Sequence, residues 1–142
     1  MIKLSRYMPN LAKAAATEAG AGAGSIDYLN LKPVLDIEAG ISRVMNNKKL
    51  YCRLLSNFLE SKLTEDIIAA IEGGDYTKIP QTAHALKGVA ANLGLNELMD
   101  ISMQIELKAK AGEAIKELLP PFTQSVAAVE LAIEHLLLIE NT

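Results

Sequence analysis

The residues with the most evident chemistry lie in one short stretch, AHALKGVAANLGL, at positions 83–95. His84 supplies an imidazole, and Lys87 supplies a cation about one turn later if the stretch is helical. An ordinary imidazole is largely neutral at pH 7, so one ring nitrogen can act as a nucleophile without special activation. Gly88 is the anomaly, because a glycine inside a helix costs about 1 kcal/mol relative to alanine. The stretch therefore indicates a reactive histidine beside a position kept almost free of side chain.

Helical spacing divides this stretch into two faces. The first face carries apolar residues at intervals of three and four and is expected to point to a core: Ala83, Leu86, Ala90 and Leu93. The second face is rotated away from the first and carries the reactive groups: His84, Lys87, Gly88 and Ala91. Because positions 88 and 91 are almost bare, we expect the imidazole to be open to a bulky partner.

The rest of the sequence offers little alternative chemistry. His135 has no comparable neighbours and is interpreted as structural or solvated. The two histidines lie in different predicted helices and Cys52 is the single cysteine, so neither a metal site nor an internal disulfide is predicted. No motif supports a Ser-His-Asp or Cys-His nucleophile arrangement.

Apolar periodicity predicts the elements that must position the histidine. Four substantial helices are expected, at about 48–72, 80–93, 97–111 and 121–139. A short helix at 37–45, with Asp36 as its N-cap, precedes them. Gly94 is expected to end the helix that carries the histidine, and Asn96 is expected to cap the next one.

Short connections between these helices imply antiparallel neighbours. No segment shows the alternation of a strand. The sequence therefore predicts an all-α, antiparallel up-and-down four-helix bundle over residues 30–140, with the short extra helix covering one end. The glycine-rich stretch TEAGAGAGS is typical of a linker, and residues 1–25 are interpreted as a flexible N-terminal tether.

Composition excludes several classes of partner. The formal net charge of −3 gives no basic surface for a nucleic-acid backbone. Uninterrupted apolar runs, such as 136–139, are far shorter than the roughly 18 residues that span a bilayer, and the N-terminus lacks a secretory signal pattern. We therefore expect a cytoplasmic chain that contacts neither nucleic acid nor membrane.

The stretch HALKGVAANLGL resembles the signature of the histidine-containing phosphotransfer (HPt) domains of two-component phosphorelays, H-x-L-K-G-x-x-x-x-x-G. The matching residues are His84, Leu86, Lys87, Gly88 and Gly94. The similarity extends upstream through VLDIEAGISRVMNNKKLYCRLLSNFLE, with its short helix and Leu-Leu-x-x-Phe pattern, and downstream through the helix that ends near Glu106.

This resemblance implies that His84 accepts a phosphoryl group from a receiver-domain aspartate and passes it to another receiver. Lys87 would neighbour the phosphoryl group, and Gly88 with Ala91 would admit the receiver. The helix of the histidine would end at Gly94. Such a domain is a phosphotransfer intermediate and not an enzyme.

On the following helix, the resemblance implies that Glu106 accepts a hydrogen bond from the ring nitrogen that is not phosphorylated. Gln104 is the second candidate for that role. The resemblance also implies that this domain, expected to be a monomer, binds no metal or cofactor, because Mg²⁺ belongs to the partner receiver.

Three interpretations stay open. The first is a phosphorelay carrier that forms the C-terminal module of a hybrid sensor histidine kinase, since KLSRYMP faintly resembles the end of a receiver domain. The second is the phosphoacceptor domain of a chemotaxis-type kinase, which also has a histidine followed by Lys-Gly. The third is a helical bundle that docks receivers without phosphotransfer.

Overall fold

The computed structural model describes residues 33–140, and these residues form a helical bundle without strands. Its elements are α1 (Ile37–Arg43), α2 (Lys48–Glu60), α3 (Leu63–Gly73), α4 (Ile79–Leu93), α5 (Asn96–Lys110), a 3₁₀ turn (Lys116–Leu118) and α6 (Leu119–Glu140). The all-α prediction is confirmed. The predicted tether at 1–25 and the KLSRYMP segment lie outside the described residues.

The single long helix predicted at 48–72 is wrong, because the chain breaks into α2 and α3. Ser61 adopts an extended conformation with φ −68° and ψ 148°, and its hydroxyl accepts a hydrogen bond from the Leu63 amide at 3.2 Å. The break has a packing cause. The buried apolar side chains of the two helices are Tyr51, Leu55 and Phe58 in α2, and Ile67, Ile68 and Ile71 in α3. At about 100° per residue, one continuous helix would place these two sets roughly half a turn apart, so it could not bury both.

The helices α4 and α5 form an antiparallel hairpin around a tight turn at Gly94, whose φ of 81° is left-handed. A Cβ at this position would collide with the carbonyl oxygen of Asp36, which explains the glycine beyond its backbone conformation. The Asp36 amide donates back to the Gly94 carbonyl at 2.8 Å. The chain that leads into α1 is thereby fastened to the turn between α4 and α5.

The predicted cap at Asn96 is also wrong. Leu95 occupies the N-cap position of α5, Asn96 is already helical, and no side chain caps this end. A backbone carbonyl takes over the role, since the Glu97 amide donates to the Pro33 oxygen at 3.0 Å. Tertiary contact therefore satisfies a helix end for which local sequence suggested a side chain.

The core is mainly aliphatic and lies between the long helices. The stripe predicted for α4 is confirmed, since all four of its apolar members are buried: Ala83, Leu86, Ala90 and Leu93. Tyr51 of α2 is also fully buried, and its hydroxyl donates to the Leu93 carbonyl at 2.7 Å. Gly40 of α1 lies against the Tyr51 ring so closely that a Cβ there would collide with it.

The last helix is long and apolar enough, by length and composition, to cross a membrane over Lys116–Glu140. The prediction from sequence considered only uninterrupted apolar runs. It did not include a helix of this length and hydropathy, because polar residues interrupt the apolar positions of α6. In the bundle, α6 buries one apolar side against the other helices: Phe122, Val126, Val129, Ile133 and Leu136. A core helix of this kind passes the same length and hydropathy test.

Candidate functional site

The imidazole of His84 is held at one nitrogen and open elsewhere. Its Nδ1 lies 2.9 Å from Oε2 of Glu106, across the interface between α4 and α5. The His84 side chain is 66% exposed, whereas that of Glu106 is 3% exposed. Because Nδ1 is engaged with a buried carboxylate, Nε2 is the ring nitrogen available to an external partner.

Glu106 collects three donors on its two carboxylate oxygens. Lys87 donates to Oε1 at 2.9 Å, and Lys110 contacts Oε2 at 2.9 Å beside His84. These contacts lower the pKa of Glu106 to about 2, with the Lys87 hydrogen bond as the largest cause and the Lys110 hydrogen bond next. Burial acts in the opposite direction, and the His84 hydrogen bond adds a smaller lowering. The carboxylate is therefore ionised throughout the physiological range.

The cluster forms because residues spaced along α4 and along α5 meet where these two helices pack together. His84 and Lys87 lie three residues apart on α4, and Glu106 and Lys110 lie four residues apart on α5. The antiparallel hairpin then brings the two pairs face to face. The resulting cluster holds two ammonium groups, one carboxylate and one imidazole.

Comparison with known proteins identifies the family to which this chain belongs. A family model described as the Hpt domain matches residues 53–137. The chain belongs to the Hpt domain family. No curated protein and no solved structure gave a significant match. Hpt domains are phosphocarriers of two-component systems that interact with response-regulator receiver domains, and they are not catalysts themselves.

In this Hpt domain, the structure separates the two candidates for holding the imidazole. Glu106 makes the contact with Nδ1, while Gln104 is exposed on α5. Lys87 is 30% exposed and reaches back to the same carboxylate. Gly94 ends α4, as its position in the motif implied.

The α4 surface beside His84 is open at position 88. Gly88 is exposed, and a Cβ built there would meet no atom within 4 Å. Ala91, one turn further along, is half-buried. Packing within the Hpt domain therefore does not explain why position 88 is a glycine.

Lys110 is the member of the cluster that sequence reasoning missed. The signal was present, because a glutamate followed four residues later by a lysine is a favourable pair on a helix. It was overlooked because the motif around His84 lies entirely on α4, whereas Lys110 enters the cluster from α5.

Other candidate positions lie apart from this cluster. His135 is half-buried on α6 and makes none of the contacts of this cluster. Within residues 33–140, no group of three or more His, Cys, Asp or Glu side chains is arranged to hold a metal ion. A cavity of about 420 Å³ lies between α1, α2 and α6, and none of the predicted site residues lines it.

Proposed function

We propose that this Hpt domain is a phosphorelay carrier in which Nε2 of His84 accepts a phosphoryl group from a receiver aspartate and passes it to a second receiver. One observation carries the proposal. The imidazole is two-thirds exposed, and its other nitrogen is bound to a buried, ionised carboxylate.

The carboxylate selects the reactive form of the ring. An ionised Glu106 can only accept hydrogen bonds, so the proton of a neutral imidazole is favoured on Nδ1, which leaves the lone pair on Nε2. In the transfer step, that lone pair forms a bond to phosphorus. The bond between phosphorus and the aspartyl oxygen breaks, and its electron pair leaves with the receiver carboxylate. The ring keeps its Nδ1 proton, becomes cationic and remains paired with Glu106.

The two lysines balance the charge that arrives. Before transfer, Lys87, Lys110 and Glu106 together carry one net positive charge when the imidazole is neutral. A dianionic phosphoryl group on a cationic ring brings this cluster to neutrality. The cluster is thus arranged to favour the phosphorylated form electrostatically.

Catalytic assistance comes from the receiver in this proposal. The Mg²⁺ ion and the acidic pocket that activate an aspartyl phosphate belong to the partner, and this domain contributes the acceptor nitrogen and its surroundings. We further propose that the domain is a cytoplasmic monomer and the C-terminal module of a hybrid sensor histidine kinase. The glycine-rich stretch at 17–25, which is typical of an interdomain linker, supports that placement.

The test is phosphorylation by a panel of purified receiver domains from the same genome, each charged with acetyl phosphate and Mg²⁺. We expect acid-labile, base-stable labelling of the wild type and none of His84→Gln. His135→Gln is the matched control and should be labelled like the wild type. Labelling of His84→Gln at the wild-type level would overturn the site, and no labelling by any receiver would overturn the carrier function.

A further inference from the structure

The cavity between α1, α2 and α6 takes no part in the proposed phosphotransfer. Its volume of about 420 Å³ lies within the range of small-molecule sites. Aliphatic side chains form much of its lining: Leu35, Ile37, Ile41 and Leu136. Two of them, Ile37 and Ile41, are only half-buried by the fold itself. The cavity therefore offers an apolar molecule a surface that would be removed from water on binding.

The charged side chains at the same cavity are mainly acidic. Among the described residues that line it, Asp36, Glu38 and Glu140 carry carboxylates and Lys48 carries an ammonium group. The Nζ atom of Lys48 lies 2.9 Å from Oε2 of Glu140, so these two charges offset each other. The described lining is thus left with two net negative charges, on Asp36 and Glu38.

The pKa values of two neighbouring groups indicate the same negative potential. Burial raises the pKa of the Cys52 thiol, and the Glu140 carboxylate raises it by more than Lys48 lowers it. Burial also raises the pKa of Tyr51, and the Asp36 carboxylate is the next largest cause. A carboxylate has this effect because it disfavours a second negative charge nearby. The carboxylates therefore outweigh Lys48 at this end of the bundle.

A small organic cation fits this lining better than other classes of ligand. A metal ion needs several oxygen ligands around one point, and within residues 33–140 no group of three or more His, Cys, Asp or Glu side chains is arranged to hold one. An anion would be repelled by the carboxylates, and a neutral molecule would gain no attraction from them. An amine on a short alkyl chain combines an apolar body with a positive charge.

We propose that this cavity is a binding site for a small alkylammonium ion, whose hydrocarbon chain packs on Ile37 and Ile41 and whose charge lies beside Asp36 and Glu38. The site goes beyond the carrier function and does not depend on it. It is also separate from the His84 cluster, because no residue of that cluster lines the cavity. Binding and phosphotransfer can therefore be measured independently.

The cavity borders contacts that hold the C-terminal end of α4. The Asp36 amide donates to the Gly94 carbonyl at 2.8 Å, and the Tyr51 hydroxyl donates to the Leu93 carbonyl at 2.7 Å. Both donors belong to residues that line the cavity, so an occupant packs against the same part of the fold. A ligand that binds only the folded chain stabilises it by mass action, and the thermal midpoint should rise with ligand concentration.

The test titrates the full chain at pH 7 with three probes of equal chain length, hexylamine, hexan-1-ol and hexanoate. At this pH the first is a cation, the second is neutral and the third is an anion. Backbone amide chemical shifts measure the affinity of each probe and locate its site. Glu38→Gln removes one carboxylate of the lining. Glu97→Gln is the matched control, because Glu97 is likewise an exposed glutamate in the first turn of a helix but does not line the cavity.

We expect hexylamine to bind in the low millimolar range and at least about fivefold more tightly than hexan-1-ol, while hexanoate does not bind. The shifted amides should belong to α1, the start of α2 and the end of α6. Glu38→Gln should weaken hexylamine binding by about two- to fivefold, and Glu97→Gln should leave it unchanged.

Other outcomes would overturn the proposal. Equal binding of the three probes would show that the charges do not select a cation. Shifts centred outside α1, α2 and α6, or no shifts with any probe, would show that the cavity is not a site for this ligand. If the same amides shift with protein concentration in the absence of a probe, the occupant is a second copy of this chain.

Discussion

The Nδ1 atom of His84 and the Oε2 atom of Glu106 lie 2.9 Å apart, and this contact joins an exposed ring to a buried carboxylate. The same oxygen also receives Lys110, and the other oxygen receives Lys87. One side chain therefore fixes the orientation of the imidazole, its proton and two nearby cations.

Two replacements of Glu106 distinguish its role in orienting the imidazole from the effect of its negative charge. In Glu106→Gln, the amide oxygen can still accept the Nδ1 proton, but the partner of both lysines is neutral. In Glu106→Ala, both properties are lost. We expect Glu106→Ala to reduce the transfer rate roughly tenfold, the size of one charge-assisted hydrogen bond of about 1.5 kcal/mol, and Glu106→Gln to fall between it and the wild type. Single-turnover transfer measures the rates, and ¹⁵N chemical shifts of His84 report which nitrogen carries the proton. Equal tautomer populations in all three proteins would contradict this role for Glu106.

Lys110 is expected to act through its charge. Lys110→Met should slow phosphoryl acceptance by about two- to fivefold, because an ion pair whose lysine is largely exposed contributes about 0.4–1 kcal/mol. Lys108→Met is the control on the same helix, since Lys108 pairs with Glu113 and Glu117 at 3.6 and 3.8 Å and not with Glu106. The difference between the two variants should shrink in 1 M salt. If both variants slow transfer equally, the effect of Lys110 reflects overall charge and not its place in the cluster.

Acid is expected to destabilise the domain partly through Glu106. Its pKa of about 2 lies below its ordinary value of 4.5, so the unfolded chain takes up the proton first as the pH falls. The stabilisation is therefore complete above about pH 4.5 and is lost progressively toward pH 2. Urea unfolding over this range should show a steeper loss for the wild type than for Glu106→Gln. Hydrogen bonds from Thr77 also lower the pKa of Asp75, but that contribution is common to both proteins. Parallel pH profiles would show that Glu106 is not ionised more readily in the folded state.

Substitutions of Gly88 are expected to affect the stability of the fold and the docking of the receiver in opposite directions. Because a Cβ there meets no atom, Gly88→Ala should stabilise α4 by about 0.5–1 kcal/mol and raise the thermal midpoint by a few degrees. Transfer should be nearly unchanged, since a methyl group adds little bulk. Gly88→Leu keeps a good helix former but places a large side chain beside the ring, so it should stabilise the fold and yet weaken receiver docking. A leucine variant that docks normally would contradict the explanation of this glycine.

The sequence was most informative where local pattern and packing agree. The spacing of Ala83, Leu86 and Ala90 predicted the buried side of α4, and the motif on its other side pointed to His84. Both follow from helical geometry alone, which requires no knowledge of the rest of the fold. The glycine at the end of α4 was likewise readable, because a left-handed residue there is a local requirement.

The failures all involve tertiary contacts. The break at Ser61 occurs because α2 and α3 bury different sides, and local periodicity does not show which side each segment packs against its neighbours. The start of α5 is satisfied by a carbonyl from a distant part of the chain, so Asn96 was a reasonable cap that the fold does not use. Lys110 joins the cluster from the neighbouring helix, and no motif on α4 could name it.

The backbone hydrogen bonds that join residues 33–36 to the turn between α4 and α5 determine how far the domain can be shortened. Pro33 and Asp36, whose backbones bond to Glu97 and Gly94, lie ahead of residues 53–137, which the family model matches. A fragment trimmed to that region would keep the histidine, both lysines and the glutamate. It would lose the Pro33 carbonyl that accepts from the start of α5 and the Asp36 amide that donates to Gly94. The folded unit therefore begins ahead of the residues that the family model matches, at Pro33 or earlier.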